Sequence, residues 1–277
     1  MNNDSSKGRP SPWDPRPRPA QKSSHSSSSF REGRAGQGEL RLYGLNAVQA
    51  VFAKRPEVIR KLYLLESRIP ELKSLLAWCV KSRVGYRVVE EGDLNKLAAS
   101  AHHEGVVADV LRREPLALDA WLAQMQAGAQ CAIWLDGIGN PHNFGAILRS
   151  AAHFGVGAIL LPQDSTLALS GAAARVAEGG AEAVQLVRLP AARDALAKLR
   201  AAGFTLAATV VRGGEDLFVQ ELPKKLVYVM GAEGEGMAAD LAAQCDLRLS
   251  IPGTGAVESL NVASATAVFL AQWRHER

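Results

Sequence analysis

Cysteine is scarce in this chain: three residues in 277, Cys79, Cys131 and Cys245. They stand far apart, with no CxxC pair and no histidine cluster nearby, which argues against a zinc site or a disulfide framework. Each lies in an apolar context, as buried free thiols do, and unpaired thiols suit a reducing cytoplasm. Long hydrophobic runs are also missing. No stretch of about 18 apolar residues occurs, so no membrane span is expected. The N-terminus is polar and lacks the apolar core of a signal peptide. The expectations are a cytoplasmic protein with no metal and no membrane partner.

Net charge is +4, but it is unevenly spread. Residues 1–38 are net +4, residues 40–113 carry thirteen basic against eight acidic side chains, and residues 114–277 are net −4. Clustered cations favour polyanions through counterion release, so the front of the chain is nominated for polyanion contact, although +5 on a small domain is also what an ordinary solvated surface carries. Residues 1–38 are rich in Ser, Pro, Arg and Gly with almost no apolar residue, and read as a disordered basic tail.

Residues 40–113 read as a small α/β/α unit. Leu45, Val48, Val51 and Phe52 have helical spacing, and Leu72, Leu75, Leu76 and Cys79 mark one face of a second helix over 69–80. Strands are expected over 60–65, 86–89 and 105–111, with a short helix over 94–99. Residues 114–128, with Pro115, are expected to be a linker ending in a helix. Residues 129–277 then alternate strands and helices, which predicts an α/β domain with a mainly parallel sheet covered on both faces. Strands are expected at 131–135, 158–161, 184–187, 204–210, 226–230 and 247–251. Helices are expected at 144–154, 169–176, 191–201, 237–242 and 260–273, the last opened by Ser259 as N-cap. A classical dinucleotide fold would carry its glycine loop after the first strand. Here DGIGNPHNFG is a poor match, with no acidic residue about 20 positions later at the end of a second strand.

Three glycine-bearing turns, each directly after an apolar strand, organise this second half. In the first, Asn143 is followed six positions later by Arg149. The second is Gly231, Glu233 and Gly234. The third is Ile251, Pro252, Gly255, Ser259, Leu260, Asn261 and Val262. Together, and in this order, they resemble the SpoU/TrmH family of RNA ribose 2′-O-methyltransferases in the SPOUT superfamily. The opening LYGLNAVQAVF and closing HHEGVVADV of residues 40–113 resemble the L30e-like substrate-binding domain found in front of many SpoU enzymes.

The resemblance implies a SPOUT domain with a deep trefoil knot, a homodimer formed around it, S-adenosylmethionine (SAM) as methyl donor, and rRNA or tRNA as substrate. It also implies that Met230, Gly231, Ala232 and Gly234, with Ile251, Pro252, Gly255, Ser259 and Leu260, line the cofactor pocket, where glycine lets backbone approach closely. By the same resemblance Asn143, Arg149, Glu233 and Asn261 form the catalytic constellation, with Asn261 read either as positioning the substrate or as capping the helix. Measured from Phe144 at 100° per residue, Arg149 falls outside the stripe of Ile147, Leu148 and Ala151, so it can face a groove. A guanidinium keeps its proton up to about pH 12, so anchoring a phosphate or stabilising an alkoxide asks less of it than acting as a base. Asn143 is expected to cap the helix that carries Arg149. Glu178 and Glu182 sit in a turn with no assigned task. Gly253 and Ala263 depart from the family's usual Met and Ser. The competing expectation is a non-catalytic RNA-binding or ribosome-assembly factor on the same fold.

Overall fold

Two sheets divide the residues that the computed structural model describes, which are 38–277 other than Glu233 and Glu235. The tail expected over residues 1–38 falls almost wholly outside them. The first sheet is built from β1 (Glu39–Tyr43), β2 (Ile59–Leu64), β3 (Gly85–Val88) and β4 (Val106–Leu111), in the order β1-β4-β2-β3. β4 is antiparallel to both its neighbours, and β2 and β3 are parallel. Helices α1 (Leu45–Lys54), α2 (Lys73–Ser82) and α3 (Glu91–Ala98) connect these strands. Val48, Val51, Leu72, Leu75 and Cys79 are buried, as the helical spacing requires.

The second sheet has eight strands, and every pairing in it is parallel. Its elements are β5 (Leu116–Ala117), α4 (Leu118–Ala123), β6 (Gln130–Leu135), α5 (Pro141–Phe154), β7 (Ala158–Leu161), α6 (Gly171–Ala177), β8 (Gln185–Arg188), α7 (Ala192–Ala201), β9 (Thr205–Thr209), β10 (Glu215–Asp216), β11 (Lys225–Met230), α8 (Ala239–Ala243), β12 (Leu247–Ser250) and α9 (Val262–His275). The strand order is β10-β12-β9-β11-β6-β7-β8-β5.

β6 and β11 lie at the centre, and their near-continuous apolar runs suit strands buried on both faces. Side chains alternate between two cores. Cys131, Ile133 and Leu135 of β6 face one with Leu226, Tyr228 and Met230 of β11, beneath α5 and α9. Ala132 and Trp134 face the other with Val227 and Val229, beneath α4, α7 and α8. Burial pushes the Tyr228 hydroxyl well above its usual value, and it donates to the carbonyl of Phe269 in α9.

The 114–128 stretch is not a free linker. β5 pairs in parallel with β8 at the sheet edge, and Leu118 and Trp121 of α4 are buried in the second core. A two-residue strand carries too little alternation to read from sequence. The small strand β10, at the other edge, also went unexpected for that reason. Cys79 and Cys131 are buried free thiols and Cys245 is half-buried, where burial raises it to about 11.

α6 (GAAARVA) joins the two sheets. Its small residues let it pack against α5 on one side and β1 on the other. A Cβ on Gly145 of α5 would lie 2.5 Å from the Ala173 carbonyl oxygen, and one on Gly171 would lie 2.6 Å from that of Arg41. Ala174 sits in the first sheet's own core.

Candidate active site

The carboxyl ends of β9, β11 and β12 open onto a cavity of about 730 Å³. In parallel sheets ligands bind in crevices at that edge, and this volume falls in the range of small-molecule sites. Nine residues expected at the cofactor lie along it: Met230 at the end of β11, Gly231, Ala232 and Gly234 on the turn that follows, and Ile251, Pro252, Gly255, Ser259 and Leu260 after β12.

The turn after β11 is braced from within. Ala232 and Gly236 exchange two backbone hydrogen bonds, each 2.9 Å. The Asp136 carboxylate accepts from the Ala238 amide at 2.9 Å, and the Asp136 amide donates to the Met230 carbonyl at 2.8 Å. Gly231 has no room for a side chain, since a Cβ there would stand 2.4 Å from the Gly236 carbonyl carbon and the Met237 nitrogen. Gly255, at φ 82°, needs the left-handed backbone that glycine adopts without strain.

These features suit SAM. Met230, Ile251, Leu260 and Phe269 supply an apolar wall, while the glycine turns leave backbone exposed to a flat, polar ligand. A Cβ on Gly253 would meet nothing within 4 Å, so its missing side chain widens the cavity. The cavity also takes in Thr209 at the end of β9, Val210, Val211 and Arg212 after it, and Arg248 on β12. The sequence reasoning missed these. The signal was indirect: β9 is the strand that places its carboxyl end between β11 and β12.

Beside the cavity, Asn261 Nδ2 donates to Asn143 Oδ1 at 3.0 Å. Two expectations about these helix ends need correction. α5 is capped by Asn140, whose Oδ1 accepts from the amides of His142 and Asn143, with Pro141 at the first helical position. Asn143 sits inside the first turn, and its side chain is left for Asn261. α9 is capped by Asn261, whose Oδ1 accepts from Ala263 and Ser264 at 3.0 and 3.3 Å. Ser259 lies exposed two residues before the cap, and Leu260 is outside the helix. Ser and Asn are comparable caps, so sequence alone does not choose between them. Ala263, where the family usually has Ser, is buried at 8 % exposure.

Arg149 lies on α5 six residues beyond Asn143, about 9 Å along the axis. Phe144, Ile147, Leu148 and Ala151 are fully buried, whereas the Arg149 side chain is 64 % exposed. Its Nη1 lies 4.0 Å from Glu178 Oε1. The structure thus joins Asn143 to Asn261, and among the described residues the carboxylate nearest the Arg149 guanidinium is that of Glu178. None of Asn143, Asn261 and Arg149 is among the residues that line the cavity. Glu233 lies outside the described residues.

Glu182 has a partner that sequence could not show: Arg55 Nε and Nη2 donate to its two oxygens at 2.6 and 2.8 Å. His103 is buried and structural. Its Nδ1 accepts from the Gly105 amide at 3.0 Å, which leaves the proton on Nε2, 3.2 Å from Asn95 Oδ1. Among the described residues no cluster of His, Cys, Asp and Glu could hold a metal ion, and no helix is long and apolar enough to cross a membrane.

Comparison with known proteins gives concordant results. The SpoU rRNA Methylase family model matches residues 130–271, and the model for RNA 2′-O ribose methyltransferase substrate binding matches residues 41–116. An uncharacterized tRNA/rRNA methyltransferase, YfiF, of Escherichia coli O157:H7 is 42 % identical over 85 % of this chain and 68 % of its own length. The 23S rRNA (guanosine-2′-O-)-methyltransferase RlmB of Pseudomonas putida is 34 % identical over 83 % of this chain and 94 % of its own. In fold, the AdoMet-bound rRNA methyltransferase from Sinorhizobium meliloti matches with a TM-score of 0.71, at 24 % identity over 86 % of this chain and 87 % of that one.

Proposed function

This chain belongs to the SpoU rRNA methylase family, and from that premise we propose that it transfers a methyl group from SAM to a ribose 2′-hydroxyl of structured RNA. The observation that carries the proposal is the cavity at the β9-β11-β12 edge, with the paired Asn143 and Asn261 beside it. The names of the RlmB relatives point to a guanosine of 23S rRNA as the substrate, and that of YfiF leaves tRNA open.

SAM supplies a methyl group made electrophilic by its sulfonium charge. The protein's task is to hold the acceptor hydroxyl in line, and positioning of that kind contributes roughly 7–11 kcal/mol in favourable cases. Met230, Gly231, Ala232, Gly234, Ile251, Pro252, Gly255, Ser259 and Leu260 would hold the cofactor. Asn143 and Asn261, each with one amide group committed to the other, would orient the ribose. Arg149 stays protonated and would anchor a phosphate or stabilise charge developing on the 2′-oxygen. Glu233 enters this constellation through its motif alone.

The basic front part, residues 40–113, would bind the RNA ahead of the methyltransferase part that begins near residue 129. We further infer a homodimer and a knotted C-terminal segment, as the family resemblance implies. Support for the dimer comes from Val211, Val257 and Leu260, which are 55, 69 and 47 % exposed at the cavity and would be covered by a second copy. A cytoplasmic location suits the RNA substrate and the free thiols.

The test is incubation of the protein with radiolabelled SAM and total RNA from cells lacking the gene, beside an Arg149→Ala control. Label in one RNA species, lost in the control, is expected. SAM binding without label would favour a non-catalytic RNA-binding factor.

A further inference from the structure

Glu178 stands where a glycine would be easier to accommodate. It follows the last turn of α6 in the left-handed region, at φ 52°. Helices commonly end in this conformation with Gly or Asn, because other side chains are strained there. A glutamate held in such a position implies that its side chain has a task. Its two oxygens face different parts of the fold. Oε2 accepts from Nδ2 of Asn46, in the first turn of α1, at 2.5 Å. Oε1 lies 4.0 Å from Arg149 Nη1 on α5.

The backbone around Glu178 has little slack. A Cβ on Gly179 would lie 3.0 Å from the Ala50 Cβ of α1. One on Gly180 would lie 2.8 Å from the Leu148 carbonyl oxygen and 3.1 Å from the Arg149 Cα. Residues 178–182 are therefore wedged between α1 and the stretch of α5 that carries Arg149. At the far end of the turn, Glu182, 5 % exposed, closes the wedge through its two hydrogen bonds from Arg55.

We propose that Asn46 and Glu178 are positioning residues for Arg149, so that the front sheet's first helix sets the guanidinium used in methyl transfer. The proposal rests on the reading of Arg149 given above. At 4.0 Å, and with the Arg149 side chain 64 % exposed, Glu178 biases the guanidinium by charge while leaving it open to a phosphate. An RNA held by the front part would then meet an arginine already oriented by that same part.

The experiment compares wild type with Asn46→Ala, Glu178→Gly, the double variant and Arg149→Ala, measuring kcat, KM for RNA, SAM affinity and Tm. Glu178→Gly is the informative variant. Glycine suits the left-handed backbone, so Tm should hold or rise, while kcat falls on the order of 10-fold because a displaced guanidinium is poorly aimed. Asn46→Ala should lower kcat in the same direction, and the double variant should be no worse than Glu178→Gly alone, as expected for residues acting through one another. SAM affinity should not move. A Glu178→Gly protein as active as wild type, with Arg149→Ala inactive, would overturn the positioning role and leave the methyltransferase reading standing. A defect confined to KM would also overturn it, by placing both residues in RNA binding. A wild-type protein that methylates no RNA would overturn both.

Discussion

Asn143 and Asn261, 118 residues apart in sequence, meet through a 3.0 Å hydrogen bond from Asn261 Nδ2 to Asn143 Oδ1. The same Asn261 caps α9 with its Oδ1. One side chain therefore supports a helix with its oxygen and the candidate site with its nitrogen, and the two roles can be separated.

Asn261→Ser should keep the cap, since serine caps nearly as well as asparagine. Thermal stability should stay close to wild type while methyl transfer falls sharply. Asn261→Ala should lose the cap as well, at a cost of about 0.5–2 kcal/mol. Thermal melts beside single-turnover rates would distinguish the two variants.

Gly231→Ala should damage the cofactor cavity rather than the sheet. The new Cβ would lie 2.4 Å from the Gly236 backbone, so the turn after β11 must open. SAM affinity, read by calorimetry, is expected to drop about 10-fold, as overpacking strain of that kind implies, with the far-ultraviolet circular dichroism spectrum unchanged.

Glu182 and Arg55 form a nearly buried pair, 5 and 15 % exposed. Removing one partner leaves the other charge unmatched. Glu182→Ala is expected to cost about 2–4 kcal/mol, more than the double replacement Arg55→Met with Glu182→Leu, because breaking a buried pair is worse than replacing it. Urea denaturation of the single and double variants would measure this.

His103 should make the fold sensitive to mild acid. Burial holds its pKa below the usual histidine value. A base with a lowered folded pKa binds its proton more readily when unfolded. Its contribution is therefore complete above about pH 6.5 and is lost as pH falls below that, down to the folded value. A proton on Nδ1 would also oppose the Gly105 amide that donates to it. Melting temperatures from pH 7.5 to 5.5 should fall for wild type and fall less for His103→Gln.

Much of the fold was legible because the second sheet is parallel and doubly covered. β6, β7 and β11 are short apolar runs bounded by turn residues, and α5 shows a clean stripe of Phe144, Ile147, Leu148 and Ala151. The cavity's two main turns were legible as motifs after strands. Other features depended on where the chain goes in space. Whether Ser259 or Asn261 caps α9 is decided by the entry of the chain, and both residues are good caps. β5 is two residues long, too short for a period to show, and becomes a strand through β8. The lining residues after β9 follow from strand order, which periodicity does not encode. The partnerships of Glu178 with Asn46 and of Glu182 with Arg55 span 132 and 127 residues, so no local spacing announced them.

The most direct test of the central claim is the chemical position of the transferred methyl group. RNA treated with the protein and isotopically labelled SAM would be digested to nucleosides and resolved by mass spectrometry. The account predicts label in a single 2′-O-methylnucleoside, at a site that resists alkaline cleavage, and none with Arg149→Ala. Label on a base, or an unlabelled RNA pool from a protein that still binds SAM, would contradict it.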